Sequence, residues 1–224
     1  SDRELRAYVD GNDPITGRPV MQEVIEGLTK SLDQEDQKGL SFERTTPRLV
    51  DPDTEDNLNR LFLENNWTDK LPIVLPTEER VEEMLKHTSR KPDEVVGHMR
   101  PTHFREYWEY TVEKVAVNAV MAGCRPEHLP VLIAATRAMT RKALNLYAVQ
   151  TTTHPCAVLV FVSGPLADPL DINYRYNALG QGSLGNAAVG RAVRLLLINV
   201  GGASPGVLDR ATQGGPAKYA FCFA

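Results

Sequence analysis

The sequence is poor in cysteine, and its few cysteines are not arranged as a disulfide framework or a zinc site. The three are Cys124, Cys156 and Cys222, an odd number without a C-x-x-C pair. A chain of 224 residues is long enough to hold its core together without disulfide bonds. This pattern is typical of a reducing compartment, and we predict that the protein is cytoplasmic.

The sequence also lacks long apolar runs, a signal peptide and an excess of positive charge. Its apolar runs fall short of the ~20 residues needed to span a bilayer, and its N-terminus, SDRELRAYVDGNDP, is polar. The formal net charge is −4, so no global basic surface is available for nucleic acid. We therefore expect neither a membrane nor a nucleic acid as a partner.

Well-known catalytic motifs are missing as well. The sequence contains no G-x-S-x-G elbow, P-loop, H-E-x-x-H motif or zinc ribbon. Any enzymatic activity must therefore reside in residues that these motifs do not describe.

What is present is the composition and the apolar patterning of a globular core. Hydrophobic residues make up 42% of the chain and charged residues 24%. Strands alternate with helices in the pattern, which predicts an α/β or mixed α+β fold with apolar helices packed on a central sheet of short buried strands. We predict helices at 54–65, from 77 onward, and at 111–122, 126–139 and 186–200, strands at 71–76, 146–151 and 157–162, and mostly connection at 88–110. The apolar run AVLVFV at 157–162 predicts a strand buried on both faces.

Composition divides the chain near residue 50. Residues 1–50 are rich in charged residues and broken by glycine and proline, with one amphipathic helix predicted at 19–32. We interpret them as an extended polar N-terminal arm, which is either a solvated extension or a segment that packs on another subunit. Residues 51–224 are predicted to form the α/β core domain.

The segment 111–135 carries the most informative polar residues. It reads as two apolar helices separated by Gly123 and Cys124. In the first helix Lys114 and Asn118 lie on one stripe, and Glu113 lies about a quarter-turn away. Two interpretations are open: Lys114 reaches the surface while Asn118 caps a neighbouring backbone group, or the three residues line a cavity. In the second case they would hold an anionic substrate or transfer protons.

Cys124 is the candidate nucleophile, since we place it near the start of the second predicted helix. A positive helix end and Arg125 would both lower the pKa of a thiol there. The alternative is a small buried hydrophobic residue. His128 follows one helical turn later, so the pair could ligate a transition metal, and the loop residue His154 is a further candidate ligand. The sequence identifies no other cofactor.

A glycine-rich loop opens the last long helix. Residues 180–185 match G-x-G-x-x-G, but no clean buried strand precedes them, so a nicotinamide dinucleotide site is not expected. Two alternatives remain, a plain helix-start loop and an anion site at the helix N-terminus. In the anion site Asn186 and Arg191 would help to hold a carboxylate or a phosphate.

Four long motifs resemble an uncharacterised bacterial family over roughly residues 65–224. They are LPIVLPTEERVEEML, TVEKVAVNAVMAGCRPEHLPVLIAA, LGQGSLGNAAVGRAVRLLLINVGGASPG and GGPAKYAFC. The family motifs read TVEKVAVNAVMAGCxPEYxPV and LGPGxRANATIGRA, among others. This chain departs from them at Ser163, where the family has asparagine, and at 181–186, where the family arginine is lost.

The resemblance implies a two-component, thiol-linked enzyme. Relatives occur beside, or fused to, a small protein with a cysteine or selenocysteine (UGSC-type) motif. The resemblance assigns site roles to Glu113, Lys114, Asn118, Cys124, Asn186, Arg191 and Lys218. Because the family continues beyond Phe-Cys-x-Ala, we expect a second polypeptide to supply the remainder.

These observations lead to two hypotheses. In the first, the chain is a subunit of a multi-component enzyme that acts on a small anionic molecule by lyase or thiol-linked redox chemistry. Cys124, Glu113 and Lys114 would be catalytic, and Asn118, Asn186, Arg191 and Lys218 would bind substrate. In the second, it is a non-catalytic structural subunit of a hetero-oligomer that wraps and stabilises a catalytic partner.

Overall fold

A computed structural model describes residues 2–31, 47–99 and 108–224, which fall into two compact units. Unit 1 covers Ser1–Glu43 and unit 2 covers Arg44–Ala224. Residues 32–46, which belong to the predicted arm, lie outside the described residues. None of the helices in the described ranges has the length and apolar character needed to cross a bilayer.

Unit 1 contains helices α1 (Asp2–Val9) and α2 (Val20–Thr29). The turn between them is held by Asp13, whose Oδ1 accepts the amide N–H groups of residues 15 and 16. On the predicted apolar stripe of α2, Val20 is buried, whereas Ile25 and Leu28 are exposed. The helix therefore buries little within its own unit, and packing of the arm on another subunit stays a prediction.

Unit 2 begins with two capped helices, of which both helices and the cap at Thr77 were predicted. Helix α3 spans Glu55–Glu64 and α4 spans Glu78–Leu85. The side-chain oxygens of Thr54 and Thr77 accept amide N–H groups in the first turns of these helices, satisfying donors that would otherwise lack a partner. The predicted connection at 88–110 instead contains two antiparallel strands, β1 (Val95–Met99) and β2 (Trp108–Thr111).

The central helix follows β2 directly. Helix α5 spans Val112–Ala122, with Thr111 as its N-cap and Gly123 as its C-cap at φ +82°, both as predicted. A left-handed backbone at that position favours glycine, which has no Cβ to clash. A short 3₁₀ turn, Pro126–His128, leads into helix α6, Leu129–Met139.

The segment predicted as a strand at 146–151 is wrong, because it forms helix α7 (Leu146–Thr151). Its buried residues, Leu146 and Gln150, are four apart, which is the spacing of a helical turn and not the alternation of a strand. The apolar run at 157–162 contributes only β3 (Val160–Phe161), with Val160 buried and Phe161 61% exposed. Its predicted burial on both faces is therefore also wrong.

The mixed α/β class is confirmed, but helices carry the core. In the described residues the strands form two small sheets, β1–β2 and the parallel pair β3–β4 (Cys222–Phe223). The predicted strand at 71–76 is absent from both. Helix α8 (Leu184–Asn199) packs along α5, and each buries residues over most of its circumference, as an apolar helix should.

Candidate functional site

Cys124 is a thiol at the edge of the core, and the sequence-based expectation of a lowered pKa is wrong. Burial raises the pKa of Cys124, and the neighbouring Cys222 raises it further. Cys124 donates its amide N–H to Ala119 O at 3.0 Å, so it belongs to the C-terminal cap of α5. Helix α6 begins only at Leu129, and the field of a helix end fades within about a turn. The positive helix end therefore does not stabilise a thiolate here.

The predicted metal ligands are not brought together. His128 is fully buried, its Nδ1 accepts the Arg125 N–H at 3.2 Å, and its Nε2 lies 2.9 Å from Leu170 O. Such a ring is neutral and donates from Nε2, and burial lowers its pKa. His154 lies in an exposed loop. Across the described ranges no group of three or more His, Cys, Asp or Glu side chains could hold a metal ion.

The polar residues of α5 point to three different environments instead of one cavity. Glu113 Oε1 accepts from Arg48 Nη2 at 2.6 Å near the surface. Lys114 Nζ donates to Glu109 O at 2.8 Å. Asn118 is buried, where its Nδ2 donates to Lys114 O. Glu113, Lys114 and Asn118 are therefore engaged in intrachain contacts, which agrees with the structural interpretation of this helix.

The start of α8, the predicted anion site, is occupied by the protein's own groups. Asp171 Oδ2 accepts the Leu184 N–H at 2.9 Å. Asn186 is buried, and its Oδ1 accepts the Asn173 N–H at 2.7 Å while its Nδ2 donates to Asn173 O and Ala178 O. The Asp171 carboxylate thus occupies part of this helix end. The side chain of Asn186 is used to hold the preceding loop and has no free position for a ligand.

Arg191 also has a partner within the chain. It makes a bidentate pair with Asp69, with Nε–Oδ2 and Nη2–Oδ1 both at 2.8 Å. Paired donors in this planar geometry are among the stronger charge-assisted hydrogen bonds. The pair ties α8 to the segment before residue 71, so Arg191 is neutralised by Asp69.

Among the site residues predicted from the sequence, Lys218 lines a pocket. A cavity of about 850 Å³ opens between the end of α8, residues 65–70 and residues 204–219. Lys218 lines it together with Arg194 and Asp209. Lys218 Nζ lies 2.9 Å from Asp209 Oδ1 and 3.4 Å from Cys156 O. Tyr219, Thr212 and the loop at Gly214 complete this wall.

Arg194 and Asp209 form the buried part of this wall. Arg194 Nη2 donates to Asp209 Oδ2 at 2.5 Å and to Ala203 O at 3.2 Å. Its Nη1 donates to Gln150 Oε1 at 3.3 Å, and Gln150 is itself buried. Burial alone would raise the pKa of Asp209, but hydrogen bonds from Lys218 and Ala211 and the charge of Arg194 lower it overall. Asp209 is therefore an ionised carboxylate that fixes two cations.

The pocket has more positive than negative charge. Its charged lining residues are Asp69, Lys70, Arg194, Asp209 and Lys218. Asp69 is neutralised by its ion pair with Arg191. The carboxylate of Asp209 forms ion pairs with both Arg194 and Lys218. Lys70 adds a further cation, with its Nζ donating to Leu63 O. An anionic ligand would meet a favourable potential in such a partly enclosed cleft.

Sequence reasoning missed Arg194 and Asp209 as site residues. Arg194 is the one charged residue in the apolar run 192–200, which is a signal that a buried partner exists. Asp209 stands in a loop of glycine and proline, and nothing local to it points to burial.

No family model matches the chain, and neither a curated protein nor a solved structure matches it.

Proposed function

We propose that this chain binds a small anionic molecule in the pocket of unit 2 and is a subunit of a multi-component cytoplasmic enzyme. One observation carries the proposal: a cavity of about 850 Å³ places Arg194 and Lys218 on one wall around a single buried carboxylate. A carboxylate or phosphate group of the ligand would balance the second cation. Pockets of this volume are in the usual range for small-molecule sites.

The donors of Lys218 support a direct contact with the ligand. A lysine ammonium has three protons, of which one is directed to Asp209 and one to Cys156 O. The remaining proton can bond an anionic ligand. Asp209 is then a positioning residue, because its carboxylate holds the ammonium and the guanidinium at the wall.

Of the two reaction types predicted from the sequence, lyase chemistry has the better support. The pocket provides charged groups that can stabilise a developing anion, and its lining residues include no cysteine within the described part of the chain. The cysteine predicted for thiol-linked chemistry is Cys124, and burial raises its pKa. A second polypeptide supplying further catalytic groups is retained from the family resemblance.

Calorimetric titration with inorganic phosphate, citrate and malate tests the binding. We expect at least one to bind, with an affinity that falls as salt rises. Replacing Lys218 with Gln should weaken binding about tenfold or more, because a charge-assisted hydrogen bond contributes roughly 1.5–3 kcal/mol. Lys142→Gln changes an exposed lysine that does not line the pocket. It is the matched control and should leave the affinity unchanged.

Two results would contradict the proposal. One is the absence of heat for all three anions at millimolar concentration. The other is equal binding by wild type and Lys218→Gln, which would place the anion elsewhere.

A structural subunit remains the second candidate function. It is favoured by the intrachain contacts of Glu113, Asn118, Asn186 and Arg191, since residues fully used in packing have little capacity for catalysis. Replacing Cys124 with Ser and Lys114 with Ala separates the candidates. If the assembled complex keeps its activity in both variants, the residues of α5 are not catalytic, and the structural-subunit hypothesis is favoured.

A further inference from the structure

The small parallel sheet of unit 2 has an open edge. Val160 and Val162 donate their amide N–H groups to Phe221 O and Phe223 O, both at 3.0 Å. Because successive residues of a strand direct their N–H groups to opposite edges, the Phe161 amide faces away from β4. Within the described ranges β3 has β4 as its single neighbour. Parallel sheets of two strands with an uncovered face are rare, because such sheets are normally buried.

The shortness of β3 is one protection of an edge strand against pairing with another chain, but charged side chains, a second protection, are absent from it. Proteins guard exposed edge strands with charged side chains, especially lysine, or cover them. Residues 155–166, PCAVLVFVSGPL, contain no charged residue. The extended run at 157–162 is apolar throughout, yet Leu159 and Phe161 are exposed on one face. The sequence is therefore that of a covered strand, whereas no second strand of the described residues pairs with it.

An apolar patch surrounds the open edge, and we define it as Leu159, Phe161, Leu166, Tyr174, Tyr176 and Leu179, all of which are exposed. A ring contact and two hydrogen bonds join several of its parts. The rings of Phe161 and Phe223 are 5.3 Å apart, Ala224 N lies 3.3 Å from Asn173 O, and Asn173 Nδ2 donates to Tyr176 O at 2.9 Å. These contacts link Phe161 of β3 through β4 to Tyr176 in the loop at 173–179.

The area of the patch approaches that of one side of a stable interface. Phe161 is 61% exposed and Tyr176 97%, and at about 200 Å² per ring these two aromatics alone expose roughly 300 Å². The remaining tyrosine and three leucines bring the patch above the 300–600 Å² that is typical of the largest patch on a monomer. A standard interface buries about 800 Å² on each partner.

We propose that β3 pairs with β3 of a second copy of this chain across a two-fold axis. Two-fold symmetry makes the two strands antiparallel and brings identical surfaces together. The result is a four-stranded sheet in the order β4–β3–β3–β4, with the apolar patches of both copies buried. The patch suits its own copy, because it needs no charge complement. The charged residues between 155 and 179 are Asp168, Asp171 and Arg175, with Asp171 engaged at the start of α8.

Light scattering after size exclusion tests the pairing. Wild type should have twice the 24.8 kDa mass of the chain, falling towards the monomer on dilution. Phe161→Lys places a charge at the dimer axis and should weaken dimerisation ~100-fold or more. Leu144→Lys, at an exposed leucine outside the patch, is the matched control and should leave the mass unchanged.

Hydrogen exchange provides a measurement that needs no variant. Amides of residues 159–163 should exchange slowly in concentrated wild-type protein and faster on dilution. A mass of 24.8 kDa at every concentration would overturn the proposal. So would a dimer that survives Phe161→Lys, or concentration-dependent protection that is confined to other segments. Because the pocket is not involved, these outcomes leave the anion-binding proposal unaffected.

Discussion

Replacing Asp209 with Asn tests the buried charge cluster that defines the pocket wall. The substitution keeps the shape of the side chain and removes its charge. Arg194 and Lys218 would then be left without a counter-charge, in positions where their side chains are only 9% and 12% exposed. Uncompensated charges in such surroundings are costly, because they have lost water without gaining a partner.

The expected cost follows from that burial. Removing one partner of a buried ion pair costs about 3–5 kcal/mol. An asparagine oxygen can still accept one hydrogen bond, so we expect the lower end of this range for Asp209→Asn. For a domain of this size, each kcal/mol lowers Tm by about 2–4 °C. The variant should therefore melt roughly 6–12 °C below wild type.

The pH dependence of the effect provides an internal check. The pKa of Asp209 is lower in the folded than in the unfolded protein, where an aspartate titrates near about 3.9. A lowered folded pKa contributes stability that is fully present above the unfolded pKa and is lost as pH falls through the folded pKa. The difference in unfolding free energy between wild type and variant should therefore be constant near neutral pH and shrink below about pH 4.

Urea denaturation followed by circular dichroism measures the effect. Asp168→Asn changes an exposed aspartate of the same unit and is the matched control, with an expected change within about 0.5 kcal/mol. Adding Arg194→Met to Asp209→Asn should restore part of the lost stability, because it removes a buried unpaired charge. Equal stabilities for Asp209→Asn and Asp168→Asn would refute the buried cluster.

Two further predictions concern packing and thiol reactivity. Gly190→Ala should destabilise unit 2 by about 1–3 kcal/mol in the same urea assay. The reason is that the new Cβ would lie 2.5 Å from the backbone nitrogen of Phe221, just before β4. Ala187→Ser, on the exposed side of α8, is the control and should change the stability little. With an aromatic disulfide reagent near neutral pH, Cys156 should react first, because Cys124 and Cys222 are shielded and burial raises the pKa of Cys222 to about 12. Rapid modification of all three thiols in the folded protein would contradict this order.

Local signals predicted the helix ends well. Thr77 and Thr111 each cap a helix, and Gly123 ends one, because capping depends on a side chain and backbone only a few residues apart. The prediction failed at α7, where a short apolar stretch was read as a strand. Short runs of this kind fit either structure, and the tertiary structure buries Leu146 and Gln150, which are one helical turn apart, with Gln150 bonded to Arg194.

The candidate site was less accessible to sequence reasoning. Lys218 was named by resemblance, whereas the polar residues of α5 were grouped because they share a helix face. A shared face does not determine what lies opposite it. Asn118 Oδ1 accepts a hydrogen bond at 2.8 Å from Nδ2 of Asn199, which is 81 positions away in the sequence. Such a partner becomes known only when two helices have packed.

The sequence by itself determined the helical caps, the apolar character of α5 and α8 and the mixed α/β class, because these depend on neighbouring residues and on periodicity. Only the tertiary structure decided which charges meet. It joins Arg191 to Asp69 across 122 positions, and it gathers Arg194, Asp209 and Lys218 around one pocket. Burial then sets their chemistry, since a buried charge is stable only beside its partner. It also left Leu159 and Phe161 exposed in a segment that apolar patterning alone predicted to be a strand buried on both faces.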